Sequence, residues 1–221
     1  MKAIIFGASG MVGSGVLMEC LDDPEVAAVL VVGRSSCEVE HEKLTEVIHR
    51  DFFDYSSIRS QLTGFDACLF CLGVSSAGMS EEQYHRLTYE LTLRAAETLV
   101  ELNPGLIFCY VSGAGTDSTE GGRSMWARVK GKTENQLLRL PFKAAYMFRP
   151  GYIQPVKGVR SKTRVYQLFY TVLGPLYPLW KRIFPSYVTT TEKLGRAMIR
   201  VISRGYPKRV IETRDINALA E

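Results

Sequence analysis

The sequence predicts an α/β fold, a doubly wound parallel sheet with helices on both faces. Three observations carry this. An apolar run at the N-terminus ends in a glycine-rich turn and then a helical pattern. Apolar runs of strand length go on alternating with helical stripes to about residue 150. The 221 residues are 46% hydrophobic and 23% charged, enough for one ordinary core without a disulfide or metal staple. Such alternation implies parallel strands joined by right-handed crossovers, which puts helices on both faces.

Residues 2–6 (Lys-Ala-Ile-Ile-Phe) read as a buried parallel strand, apolar on both sides. After the turn at Gly7–Gly13, Val12, Val16, Leu17, Cys20 and Leu21 recur at helical spacing, and Asp22-Asp23-Pro24 stops them. Residues 27–33 are a second strand and 44–49 a third; a short helix at 56–62 leads to a fourth strand at 66–72. Ser80 and Gln83 form a capping box for a long helix that Asn103-Pro104-Gly105 ends. A fifth strand at 106–111, a helix from 124 to 140 and a sixth strand at 143–148 follow. The rhythm then breaks. Residues 152–187 hold eight aromatics and several prolines. Thr189 and Glu192 read as another capping box, Leu194, Ala197, Met198, Val201 and Ile202 as its helical stripe, and 209–213 as a last strand. Residues 1–151 thus form a Rossmann-type domain, and 152–221 a small irregular C-terminal lobe that completes the same single domain as pocket lid and last helix.

Gly7-Ala8-Ser9-Gly10-Met11-Val12-Gly13 lies between a strand and a helix, the context of the dinucleotide fingerprint. The first glycine permits the tight turn, the second lets backbone approach a pyrophosphate, and the third lets helix pack on strand. Free amides and the helix dipole then attract phosphate. The second strand ends in Val31-Val32-Gly33-Arg34-Ser35, with no carboxylate for a ribose 2′-hydroxyl. An arginine there can pair with a 2′-phosphate, which favours NADP(H) over NAD(H).

On that turn and on Val32-Gly33-Arg34, Asp51-Phe52, Cys71-Leu72-Gly73, Val129-Lys130-Gly131-Lys132-Thr133-Glu134 and Phe148-Arg149-Pro150-Gly151, the chain resembles an atypical short-chain dehydrogenase/reductase. Within that family it resembles the Tat-interacting-protein-like oxidoreductases and the small predicted nucleoside-diphosphate-sugar epimerases. The likeness covers roughly residues 1–155, and 192–203 more loosely. It implies cofactor contacts at Gly7, Ala8, Ser9, Gly10, Met11, Val12, Arg34, Ser35, Asp51, Phe52, Leu72, Gly73, Ser112, Lys130 and the stretch Pro150-Gly151-Tyr152. It also implies a serine, tyrosine and lysine as the chemical groups. Ser112 and Lys130 take two of those places. Trp126 stands four residues before Lys130, where the tyrosine belongs, and an indole N–H is no acid in the physiological range. Tyr152 is the substitute proton donor that the sequence offers.

Other candidates carry blander readings. Cys68 and Cys71 have metal-like spacing but lie within a strand with no second Cys/His pair, which makes packing the reading. His41, His49 and His85 are scattered. Residues 112–122 read as a flexible loop over the nicotinamide end of the site, a solvated connection or a substrate contact.

Charge is uneven. Residues 1–150 carry 14 Lys+Arg against 19 Asp+Glu, and 151–221 carry 13 against 4. The uncharged run Val165–Trp180 with its basic flanks is a pocket lid or a patch for an anionic membrane; nucleic acid ranks last, because no binding module is present. Five cysteines, an odd number, point to reduced thiols and a cytoplasmic protein, in part peripheral to a membrane through the basic lobe. Two functions stay open: an NADPH-dependent oxidoreductase or sugar-nucleotide epimerase on a small carbonyl compound, or a cofactor-binding regulator with little turnover. Oligomeric state is not legible.

Overall fold

A computed structural model describes residues 1–156 and 186–221 of the chain. The aromatic run and its basic flanks lie outside the described residues. The elements are β1 (Lys2–Phe6), α1 (Met11–Asp22), β2 (Ala28–Gly33), β3 (Leu44–Ile48), a 3-10 turn (Ser56–Leu62), β4 (Ala67–Phe70), α2 (Glu81–His85), a π turn (Arg86–Glu90), α3 (Leu91–Leu102), β5 (Ile107–Val111), α4 (Met125–Arg139), β6 (Ala144–Arg149), β7 (Tyr152–Gln154), β8 (Val188–Thr190), α5 (Thr191–Arg204), β9 (Val210–Glu212) and α6 (Thr213–Leu219).

Seven strands form one sheet in the order β3-β2-β1-β4-β5-β6-β9, and every neighbouring pair is parallel. Strand residues alternate between the two faces. Ala3, Ile5, Val29, Val31, Leu69, Cys109 and Phe148 pack with α1 and α5. Ile4, Phe6, Leu30, Val32, Phe70, Phe108 and Met147 pack with the 3-10 turn and α3. With both faces covered, the strands must be apolar throughout, as their sequences are. The strand order reverses between β1 and β4, which opens a crevice beyond the carboxyl ends of those strands.

α1 and α5 pack unusually close. A Cβ on Gly15 would lie 2.4 Å from the Thr191 Cβ, and one on Gly195 would lie 2.8 Å from the Glu19 Cγ. Arg196 then pairs with the buried Glu19 at 3.0 Å.

Several expectations need correction. β4 ends at Phe70, so Cys71-Leu72-Gly73 belongs to the loop beyond it. The Ser80–Gln83 capping box is present, but the long helix is interrupted by the π turn. The cap of α5 is Thr190, whose side chain accepts from the Lys193 amide. The Thr189 hydroxyl instead bonds Asn217 at 2.9 Å, and Glu192 pairs with Arg196. β7, β8 and α6 carried no sequence signal strong enough to read, being 3, 3 and 7 residues long. Among the described residues, no helix is long and apolar enough to cross a membrane.

Candidate functional site

The crevice begins at the glycine turn. Gly7 has φ +82°, and a Cβ there would lie 2.7 Å from the Leu72 amide nitrogen. Both backbone conformation and the close approach of the chain after β4 therefore require glycine. The Gly10 amide donates to the Gly7 carbonyl at 2.9 Å, closing the turn. A Cβ on Gly13 would lie 2.2 Å from that same carbonyl oxygen. Gly10 is the N-cap of α1 and gives it no side-chain cap, and its first turn holds no acidic residue. The Ser80 and Thr190 side chains do cap their helices. The first-turn amides at Met11, Val12 and Gly13 are thus left for an anion, with the helix dipole behind them. Ala8 is buried in the core and Ser9 half-buried. A Cβ at Gly7 or Gly13 would strike main-chain atoms, so these glycines let the backbone close tightly beside the uncapped amides.

Beyond β2, Arg34 and Ser35 are exposed. The loop that carries them is anchored by Glu46 on β3, which accepts from the Ser36 hydroxyl and the Cys37 amide, each at 2.7 Å. Burial pushes the Glu46 carboxyl up, but the bonds from Cys37 and Ser36 outweigh it and hold it below the usual carboxylate range. At the end of β3, Asp51 is exposed and its carboxylate accepts from the Phe53 amide at 2.9 Å. The Phe52 ring points inward, 6.0 Å from Phe6, so it offers the crevice only its main chain. Leu72 is half-buried and Gly73 exposed.

The far end of the crevice is built by β5, α4 and β6. The Lys130 ammonium donates to the main-chain carbonyl of Ser112, at the end of β5. Burial pushes this ammonium down to about 8, while Glu134 pulls the other way. The Ser112 hydroxyl is turned into the protein and donates to Glu134. Glu134 is 1% exposed and also receives Arg149, whose Nε lies 3.1 Å from each carboxylate oxygen. Arg149 reaches on to Ser118 and to Glu212, the latter at 3.7 Å. Trp126 lies against Gly115, whose added Cβ would sit 3.5 Å from the indole. Tyr152 opens β7 and its phenol donates to Gln154 at 2.9 Å.

The loop after β5 is not the flexible connection its composition suggested. Asp117 accepts from the Thr119 and Gly122 amides at 3.0 and 2.7 Å. Its own amide donates to Ala127 on α4, and Arg128 bonds the Gly122 carbonyl. A Cβ on Gly131 would lie 1.7 Å from the Asp117 carbonyl oxygen, so the loop rests directly on the helix beside Lys130.

The structure therefore gathers Ser112, Lys130 and Trp126 at the β5–α4 seam and sets the glycine turn, Leu72 and Gly73 along the same sheet edge. Sequence reasoning gave no role to Glu134, Arg149, Asp117 or Gly131. A signal existed for one: Glu134 stands four residues after Lys130, one turn away on the same helix face. Arg149 reaches it only through tertiary structure. The cysteines are free thiols, and no His, Cys, Asp or Glu group among the described residues could hold a metal ion. His49 bonds the Asp54 carbonyl, and His85 sits between Glu90 and Lys132.

No family model matches the chain. Among curated relatives, Protein FMP52, mitochondrial, of Meyerozyma guilliermondii is 26% identical over 204 residues, 90% of this chain and 84% of that one. Protein HTATIP2 of Rattus norvegicus is 27% identical over 154 residues, 69% of this chain and 62% of that one. Among solved structures, a UDP-glucose 4-epimerase superimposes with TM-score 0.69 at 16% identity, covering 99% of this chain and 80% of that one. The Bordetella bronchiseptica enzyme WbmF in complex with NAD+ gives 0.64 at 15%, covering 99% and 76%. The resemblance read from the sequence is borne out: a Tat-interacting protein is among the relatives, and the fold is the epimerase-type Rossmann fold. The expectation of a cytoplasmic protein is overturned, because the FMP52 relatives, that of Saccharomyces cerevisiae included, are mitochondrial proteins.

Proposed function

We propose that this Rossmann protein of the short-chain dehydrogenase/reductase kind binds a nicotinamide dinucleotide along the carboxyl edge of its sheet, NADP(H) in preference to NAD(H), and acts on a small carbonyl-bearing ligand. The observation that carries the reading is the glycine cradle. Gly7 and Gly13 have no room for a side chain, and the first-turn amides of α1 have no side-chain cap. Met11, Val12 and Gly13 would hold the pyrophosphate, and exposed Arg34 with Ser35 the 2′-phosphate. Asp51 and the Phe52 main chain would meet the adenine, Leu72 and Gly73 would line the middle, and Lys130 would hold the nicotinamide-side ribose. Pro150, Gly151 and Tyr152 would close the far wall. WbmF, which shares the fold, binds NAD+. When bound, the dinucleotide supplies or accepts the hydride.

The chain must supply the rest. Trp126 can donate a hydrogen bond but cannot give up a proton near neutrality. A proton for the ligand oxygen has to come from elsewhere, and the Tyr152 phenol is the group assigned to it. A second reading, a cofactor-binding regulator with little turnover, is favoured by Trp126 itself.

Fluorescence titration of wild type and Arg34→Ala with NADPH and NADH tests the cofactor. A charge-assisted bond is worth about 1.5–3 kcal/mol, so Arg34→Ala should weaken NADPH about tenfold or more and leave NADH nearly unchanged. Equal wild-type affinities for the two would refute the preference. Reductase turnover on small aldehydes and ketones, lost in Tyr152→Phe, supports the enzyme. Tight cofactor binding with no turnover in either protein supports the regulator.

A further inference from the structure

We propose that Glu134 is a positioning residue for the Lys130 ammonium, acting through Ser112. The inference rests on the reading that Lys130 holds the nicotinamide-side ribose. Lys130 and Glu134 are one turn apart on α4, and both bond the same residue at the end of β5: Lys130 its main-chain carbonyl, Glu134 its hydroxyl. One bond would tie the helix to the strand at a single point and let it tilt. A second bond one turn along the same face fixes the tilt of α4 over the end of β5, and so fixes where the ammonium stands.

The second grip is itself locked. The Ser112 amide donates to Phe148 on β6 at 2.8 Å, so the serine cannot move with the helix. Arg149, from the end of the same strand, holds Glu134 through both carboxylate oxygens. Its reach to Ser118 carries the same constraint into the loop that rests on Gly131. Glu134 is 1% exposed, so it cannot meet a ligand directly. A buried ion pair is weak as a source of stability, since well-packed apolar residues serve as well or better. Orientation is what this pair adds.

The test compares two ligands by calorimetric titration, NADPH and adenosine 2′,5′-bisphosphate. The second lacks the nicotinamide-side ribose, so a residue that acts through Lys130 should not affect it; ADP and NADH replace the pair if NADH binds more tightly. Lys130→Met is expected to weaken NADPH about tenfold and to leave the bisphosphate within about twofold. Glu134→Gln and Ser112→Ala are expected to reproduce that selective loss at about three- to tenfold. Ser112→Ala keeps the Glu134–Arg149 pair and the carbonyl that Lys130 uses, so it remains informative if Glu134→Gln unfolds; thermal unfolding is followed for each variant. If Lys130→Met is selective but Ser112→Ala weakens both ligands equally, or neither, the positioning role is overturned and the Lys130 reading stands. If Lys130→Met leaves NADPH binding intact, the Lys130 reading falls and this proposal with it.

Discussion

Replacing Gly131 by alanine isolates the contact on which the site's loop rests. The added Cβ would lie 1.7 Å from the Asp117 carbonyl oxygen and 2.5 Å from its carbon. Both atoms are main chain, so no side chain can rotate away. Either the loop lifts by more than about an ångström or the helix shifts, and van der Waals repulsion decides between them. Lifting the loop breaks the Asp117–Ala127 bond of 3.1 Å and pulls on the Arg149–Ser118 contact. Overpacking of this kind costs about 1–3 kcal/mol. Alanine returns up to about 1 kcal/mol through its better helix propensity. The net expectation is a loss of about 1–2 kcal/mol, or about 2–8 °C in Tm for a chain of this size. NADPH binding should weaken as well, because Lys130 is the neighbouring residue. Two controls separate sterics from backbone strain. An added Cβ at Gly105 meets nothing within 4 Å and the φ there is ordinary, so Gly105→Ala should be neutral; Gly64 has equal space but φ +86°, so Gly64→Ala should carry the conformational cost alone. Thermal unfolding and cofactor titration read all three. If Gly131→Ala matches Gly105→Ala in both, the loop does not bear on the helix and the reasoning fails.

Three further outcomes are expected. Burial pushes the Lys130 ammonium down to about 8, so NADPH affinity should fall as pH rises through about 8, and the profile should flatten in Lys130→Met. Stability should move the other way: between about 8 and the unfolded lysine value near 10.4 the unfolded chain holds the extra proton, so stability rises with pH over that window, and chemical unfolding of Lys130→Met should show a smaller rise. Gly13→Ala, whose Cβ would lie 2.2 Å from the Gly7 carbonyl oxygen, should open the turn and cost about tenfold or more in nucleotide affinity by titration; an unchanged affinity would mean that the cradle is not the phosphate site. Trp126→Tyr should raise any background reductase rate, since general acid help contributes about 10²–10⁴-fold, with Tm followed because the smaller ring loosens the contact on Gly115.

Much of the fold was legible because its signals are local. The apolar run at residues 2–6, the glycine spacing and the Ser80–Gln83 box each fix a few neighbouring residues, and each stands where the sequence placed it. The misses have physical causes. Thr189 and Thr190 are both competent caps, and which one caps α5 is decided by Asn217 on α6, which takes the Thr189 hydroxyl. The resemblance implied Phe52 as a cofactor contact but not that its ring would be buried beside Phe6 and Tyr55, which leaves its main chain as what it can offer. The loop after β5 looked flexible from its glycines, whereas its order comes from Arg149 and Gly131, neither of which adjoins it in sequence. The same holds for Glu134: its spacing from Lys130 was visible, but its partners lie at the ends of β5 and β6.

The two functional readings divide along a line that the site itself draws. In the proposed reading, binding and bond-making draw on different residues. The glycine turn, Lys130 and the buried Glu134–Arg149 pair would set where a ligand sits, and all are held by main-chain contacts or paired charges. Position 126 carries an indole, which can contribute packing against Gly115 and a hydrogen bond but nothing that titrates. In the proposed reading the glycine turn and Lys130, which would hold the dinucleotide, need move no proton, so turnover could be lost while most of the affinity is kept. In the proposed enzyme the acid would be the Tyr152 phenol, which opens β7 just beyond β6 and donates to Gln154.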